Sequence, residues 1–114
     1  MEVINKRPWG YYQILSDASD HKVKRIVVEP GGSLSLQRHK KRAEHWYAVA
    51  GAGKAIIDDR DYSLAAGCAV NIPQGATHRL ENTADANLVI IEVQTGTYFG
   101  EDDIERLEDK YGRV

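Results

Sequence analysis

A single cysteine, Cys68, among 114 residues leaves no partner for an intrachain disulfide. The lack of a cysteine framework fits a reducing, cytoplasmic compartment. Neither sign of charge dominates. Fifteen lysines and arginines stand against 17 aspartates and glutamates, a net charge of -2, so no global field draws in nucleic acid or an anionic bilayer. Long hydrophobic runs are missing too. The longest, residues 46–50, falls far short of the ~20 needed to span a membrane, and residues 1–7 hold no apolar stretch of a signal peptide. Neither export nor membrane insertion is expected. No internal repeat, low-complexity tract or linker divides the chain, and its length with 42% hydrophobic content suits one domain over 1–114.

What is present is a succession of short β-branched or alternating runs, broken by Gly, Pro and Asp, which predicts an antiparallel all-β domain. Strands are expected over 11–15, 23–28, 34–39, 44–49, 54–57, 61–64, 69–72, 78–82 and 88–94. Turn-tolerant residues at 29–32, 51–53, 58–59, 66–67 and 73–75 bound most of them. Only the last segment changes period. Ile104, Leu107 and Tyr111 recur at helical spacing behind an acidic first turn (Glu101, Asp102, Asp103), and Gly112 offers a stop. This predicts an N-terminal extension over 1–10, a barrel over about 11–95 and a C-terminal helix over about 101–111.

Two stretches stand out for their spacing. In the first, Gly31, Gln37, His39, Glu44 and Gly51 follow one another; in the second, Gly67, Pro73, Gly75, His78 and Asn82. Residues two apart on a strand face the same way, so Gln37 and His39 present an amide oxygen and an imidazole to one side, within reach of Glu44 on the next strand. Two histidines, a glutamate and a glutamine offer nitrogen and oxygen donors without thiolate. Such a set suits Zn, Mn, Fe, Co or Ni and leaves positions for water or substrate. His45 has the opposite parity to Glu44 and should point away, and His21 reads as loop. Leu34 and Leu36 alternate with Ser35, Gln37 and His39, so they are expected to face outward and need cover by a strand or a second subunit. A homodimer is the expected assembly.

Both spacings resemble the two signature motifs of the cupin superfamily, with Gln37 where the first histidine usually stands. That resemblance implies a double-stranded β-helix, a jelly-roll barrel. Arg7-Pro-Trp-Gly10, Leu34-Ser-Leu-Gln-Arg-His39, Arg42-Ala-Glu-His-Trp46 and the run from Glu92 through Tyr98 to Ile104 narrow it further. Together they resemble the type II phosphomannose isomerase domain, usually the C-terminal half of bifunctional mannose-1-phosphate guanylyltransferase/mannose-6-phosphate isomerases. The resemblance implies a metal-dependent interconversion of mannose 6-phosphate and fructose 6-phosphate through an enediolate, serving mannose and nucleotide-sugar metabolism. Type I phosphomannose isomerases are zinc enzymes with a glutamine, two histidines and a glutamate. By that likeness Gln37, His39, Glu44 and His78 would hold one divalent metal, with zinc the first choice.

Arg42, two residues before Glu44, is expected to face the metal. An arginine holds its proton too tightly to act as a base, so its role would be to stabilise the enediolate or the phosphate. Lys24 and Glu92, each on an expected strand among apolar residues, are the candidate proton shuttles. Arg7, Lys22, Lys24, Arg42 and Arg79 are candidate phosphate-binding cations, and the family signature adds Tyr98 as a substrate contact. No Gly-rich nucleotide loop or alternating β/α pattern occurs, so any guanylyltransferase is expected to be a separate partner. Two rival readings use the same pocket: a non-catalytic sugar- or sugar-phosphate-binding cupin, and an iron-dependent oxygenase cupin.

Overall fold

The computed structural model describes residues 3–113. Among them, eleven strands form: β1 Asn5–Arg7, β2 Gly10–Asp17, β3 His21–Val28, β4 Leu36–His39, β5 Arg42–Ala50, β6 Ala52–Ile57, β7 Arg60–Ala65, β8 Ala69–Ile72, β9 His78–Glu81, β10 Leu88–Gly96 and β11 Ile104–Glu108. They assemble into a six-stranded sheet in the order β1-β2-β3-β10-β5-β8 and a five-stranded sheet in the order β11-β4-β9-β6-β7. Neighbouring strands run antiparallel, and the two sheets share one apolar core, as the double-stranded β-helix requires.

The inward-facing rows explain where the core ends and a polar site begins. Along β5 the buried positions are Ala48, Trp46, Glu44 and Arg42; along β10 they are Leu88, Ile90, Glu92 and Gln94; along β3 those of the same parity are Val28, Ile26 and Lys24, with Val27 buried on the other face. Each row is apolar at one end and polar at the other. The register lays the polar ends side by side, with Glu92 opposite both Lys24 and Trp46 and Gln94 opposite Glu44. Trp46, Ala48, Leu80, Leu88 and Ile90 close the apolar end. Burying each of the larger ones contributes roughly 1.5–3 kcal/mol, which offsets the cost of the buried polar groups beyond them.

Turn chemistry fixes the ends of these rows. Gly51 joins β5 to β6 at φ 85°, where a Cβ would lie 2.3 Å from the Asn87 carbonyl oxygen; only glycine fits. Asp58 and Asp59 both take left-handed φ values, 48° and 65°, the form a tight two-residue hairpin between β6 and β7 requires.

The C-terminal segment departs from expectation. The helix expected over 101–111 is a single 3-10 turn, Glu101–Asp103, and Ile104–Glu108 is strand β11, paired with β4. A short isolated helix gains little by itself, whereas the open edge of β4 offers unpaired backbone groups. Glu105 lies opposite Arg38 and accepts both forks of its guanidinium at 2.8 and 3.0 Å. Strand β1 was not expected either; it folds back through Pro8 and Trp9 onto β2. Leu34 does not face outward. It precedes β4 and packs against the core, and the edge of β4 is covered by β11 of the same chain.

Candidate metal centre and its cavity

Donor atoms of His39, Glu44 and His78 lie within 4.8 Å of one another, and all three residues are buried. His39 Nε2 is 3.2 Å from one Glu44 oxygen and His78 Nε2 is 3.9 Å from the other. Each imidazole is oriented from behind. His39 Nδ1 lies 3.1 Å from the Asp103 carbonyl and His78 Nδ1 lies 3.1 Å from the Ala76 carbonyl. A carbonyl oxygen only accepts, so Nδ1 carries the proton in both rings and Nε2 turns its lone pair inward. Burial, then the Arg42 guanidinium and His78, push His39 down to about 4, and burial likewise lowers His78. Neutral imidazoles with a fixed tautomer are the form in which histidine binds a metal.

Glu44 is held from both sides. The Trp46 indole N–H donates to Oε1 at 2.9 Å, and Arg42 Nε donates to Oε2 at 3.0 Å. Gln37 sits opposite His78 in the β4–β9 pairing. Its amide nitrogen donates to the Ser35 carbonyl and hydroxyl at 3.4 and 3.3 Å, so the oxygen is the end of the amide left as an electron-pair donor. Arg42 Nη2 also approaches His39 Nε2, at 3.0 Å. A positive group thus already lies across two of the donors, and the set of nitrogen and oxygen lone pairs fits a divalent cation.

These donors line a cavity open to solvent, with about 690 Å³ of empty space out to and including its mouth. Glu92 forms part of its wall and accepts a 2.5 Å hydrogen bond from Gln94 Nε2. Burial, followed by the charge and hydrogen bonding of Glu44, pushes Glu92 up to about 8. Lys24 donates to Glu101 at 2.9 Å and lies over the Tyr12 ring. Burial alone would raise Glu101, yet Lys24 and Arg42 hold it below the usual carboxylate range. Among the described residues, Arg42 Nη1, Gln94 Oε1 and Arg106 Nε are buried without a hydrogen-bond partner. Of these, Arg42 and Arg106 line the cavity, where water, an ion or a polar ligand would satisfy them.

The structure brings Gln37, His39, Glu44, His78, Arg42, Lys24, Glu92 and Arg7 to one cavity. Arg79 reaches it as well, tied to the Leu34 carbonyl and to Glu108. Tyr98 is elsewhere: it is exposed, bonds to Asp102 and stacks under Lys41, and it does not line the cavity. Lys22 is not in the lining. His45 points outward as expected and meets Asn71 at 2.6 Å. Trp46, Gln94, Glu101 and Asp103 were missed as site residues. The first two share strand parity with Glu44 and Glu92 and were legible from it; the two acids were hidden by the expected helix.

A family profile described as Mannose-6-phosphate isomerase C-terminal matches residues 2–109. The alginate biosynthesis protein AlgA of Pseudomonas aeruginosa is 50% identical over 108 residues, 95% of this chain and 22% of that protein. The xanthan biosynthesis protein XanB of Xanthomonas campestris pv. campestris is 49% identical over 95% of this chain and 23% of its own length. Mannose-1-phosphate guanylyltransferase of Escherichia coli is 48% identical over the same shares. The chain therefore spans less than a quarter of the curated relatives it matches. Among solved structures, the capsular polysaccharide assembling protein CapF of Staphylococcus aureus superposes with a TM-score of 0.85 at 24% identity, over 96% of this chain and 33% of that one. A cupin-2 domain protein of Rhodospirillum rubrum superposes with a TM-score of 0.72 at 21% identity, over 90% and 77%. These likenesses establish the cupin fold. No helix among the described residues is long and apolar enough to cross a membrane.

Proposed function

Because the chain belongs to the mannose-6-phosphate isomerase C-terminal family, we propose that it is a metal-dependent aldose-ketose isomerase interconverting mannose 6-phosphate and fructose 6-phosphate. The observation that carries this reading is the meeting, in one cavity, of a His/His/Glu donor set and a buried carboxyl, Glu92, poised near neutral pH. Isomerisation moves a proton between C2 and C1, so it needs a group able both to take and to return a proton at working pH. Glu92 is that group. A bound metal, zinc in the first place and Co, Mn, Ni or Fe as alternatives, would polarise the substrate carbonyl and the neighbouring hydroxyl.

Gln37, His39, Glu44 and His78 would hold the metal. Arg42, whose Nη1 is buried and unmatched, places positive charge where the enediolate develops and does not move protons. Lys24 already donates to Glu101, which suits holding an anionic substrate better than serving as base. Arg7 closes the cavity beside Tyr12, to which it donates at 3.2 Å. Gln94 orients Glu92, and the apolar wall of Trp9, Ile26 and Leu80 keeps water from the reacting carbons.

The proposed partners are the sugar phosphate, a second copy of the chain, and a separate guanylyltransferase. A homodimer is supported by Tyr47 and Val49, exposed on the outer face of the six-stranded sheet; a monomer mass by light scattering would remove it.

The test is a coupled assay for fructose 6-phosphate after chelation and reloading with Zn, Co, Mn or Mg. Turnover with a restored metal supports the isomerase. Binding of mannose 6-phosphate without turnover in any metal form would make the chain a sugar-phosphate-binding cupin, and oxygen consumption with iron would make it an oxygenase.

A further inference from the structure

Six cationic side chains line the cavity against three carboxylates, the reverse of the chain's overall balance of -2. Such a cleft concentrates anions. Most of these cations are already engaged. Arg113 forks onto Asp109 at 2.8 and 3.0 Å, Arg79 donates to the Leu34 and Glu108 carbonyls at 3.2 Å each, Lys24 pairs with Glu101, and Arg42 pairs with Glu44. Arg106 differs. It lines the cavity with its Nε buried and without a hydrogen-bond partner among the described residues, as Arg42 Nη1 is, but unlike Arg42 it is not held by Glu44 and His39.

The register of β11 accounts for its position. Glu105 pairs with Arg38 on the outer side, so the next residue, Arg106, turns inward. Arg106 lies opposite Gln37, and Gln37 lies opposite His78. Arg106, Gln37 and His78 therefore stand in one row across three neighbouring strands, each step ~4.8 Å. His78 and Gln37 in this row are donors of the candidate metal centre; the far end is an unmatched guanidinium N–H. A hexose 6-phosphate has the same layout, with its reacting carbons at one end and its dianion at the other. A guanidinium meets phosphate oxygens with two parallel hydrogen bonds, and such a ligand relieves the desolvation of the buried N–H.

We infer that Arg106 is the anchor for the substrate phosphate, and that the row from Arg106 to His78 sets the length of sugar phosphate the cavity accepts. The inference rests on the sugar-phosphate reading above and adds the residue that takes the phosphate. The earlier candidates Arg7 and Lys24 then guide the substrate and do not clamp it.

The experiment compares the wild-type chain with Arg106→Ala, Arg106→Lys and, as a control at the exposed β6–β7 hairpin, Arg60→Ala. Arg106→Ala is expected to raise KM for mannose 6-phosphate and weaken inhibition by inorganic phosphate by about 10- to 100-fold, the scale of a hydrogen bond to a charged group, while kcat changes only a few-fold. Arg106→Lys recovers part of the loss, and Arg60→Ala matches wild type. A folded Arg106→Ala with unchanged KM and phosphate inhibition would overturn the inference and leave the isomerase reading intact. If wild type shows no turnover yet binds inorganic phosphate, and Arg106→Ala loses that binding, the phosphate anchor stands and the isomerase reading falls. Should Arg106→Ala not fold, the Arg106 Nε–H resonance of the wild-type chain, assigned with Arg106→Lys, must shift on titration with inorganic phosphate; an unmoved resonance overturns the inference.

Discussion

Arg42 lies across the donor pair it neighbours: its Nη2 is 3.0 Å from His39 Nε2 and its Nε is 3.0 Å from Glu44 Oε2. A metal drawing on both donors must share them with, or displace, this guanidinium. Arg42 therefore opposes metal binding by occupying lone pairs and by like charge, while its positive charge serves a developing anion.

Arg42→Met is accordingly expected to bind zinc or cobalt more tightly than wild type, by about tenfold or ~1.4 kcal/mol, with turnover falling at least as far in the opposite direction. Calorimetric titration of the chelated protein reads the first, and the coupled assay reads the second. Equal or weaker metal affinity in the variant would show that the guanidinium does not compete for those donors.

Glu92 makes a prediction with a sign. Its folded value of about 8 stands above the ordinary 4.5, so between those values the folded chain holds a proton that the unfolded chain has lost. The stability this contributes is complete below the ordinary carboxylate value and is lost as pH rises toward 8. His39, lowered to about 4 from 6.5, acts the other way: its contribution is present above 6.5 and lost as pH falls toward 4. From pH 6.5 to 8, then, the metal-free protein should lose stability through Glu92 by at most ~2 kcal/mol, and Glu92→Gln should abolish that slope in thermal or urea melts. The same variant is expected to lose ~10²–10⁴ in kcat; full turnover would remove Glu92 from the reaction.

Asp103 ties the C-terminal turn to His39 of the candidate metal centre and to the loop behind it at three points. Its carboxylate accepts the backbone N–H of Lys40 and Lys41 at 3.3 and 2.9 Å, and its carbonyl accepts the proton of His39 Nδ1 at 3.1 Å. Asp103→Ala is expected to cost about 1–3 kcal/mol and, by loosening the loop behind His39, about tenfold in metal affinity. Asp103→Asn, which keeps one acceptor oxygen, should fall between. Loss of stability with metal affinity unchanged would show that the carboxylate braces the loop without orienting the imidazole.

Much of this architecture was legible because strand parity is a local property. The nine expected strands correspond to β2 through β10, and two-residue spacing correctly placed Gln37, His39, Glu44 and Arg42 on the inner face and His45 on the outer one. What was not legible depends on contacts between distant segments. Ile104, Leu107 and Tyr111 have helical spacing, yet the free edge of β4 and the Arg38–Glu105 pair draw residues 104–108 into a sheet. Leu34 alternates with Ser35 but lies ahead of β4, where strand parity does not apply. The burial that lifts Glu92 comes from β3, β5 and β10 lying in register, which spacing along one strand cannot reveal.

Strand β11 divides the site between two stretches of the sequence. The donors His39, Glu44 and His78 all lie before residue 80, whereas Asp103, Ile104, Arg106 and Arg113 reach the cavity or its histidine from beyond residue 100. A chain clipped near residue 100 would keep those three donors and lose Asp103, Ile104, Arg106 and Arg113 together. A protease acting near Gly100 would thereby strip His39 of the carbonyl that orients it and the cavity of one wall, weakening donor geometry and ligand selection in a single cut.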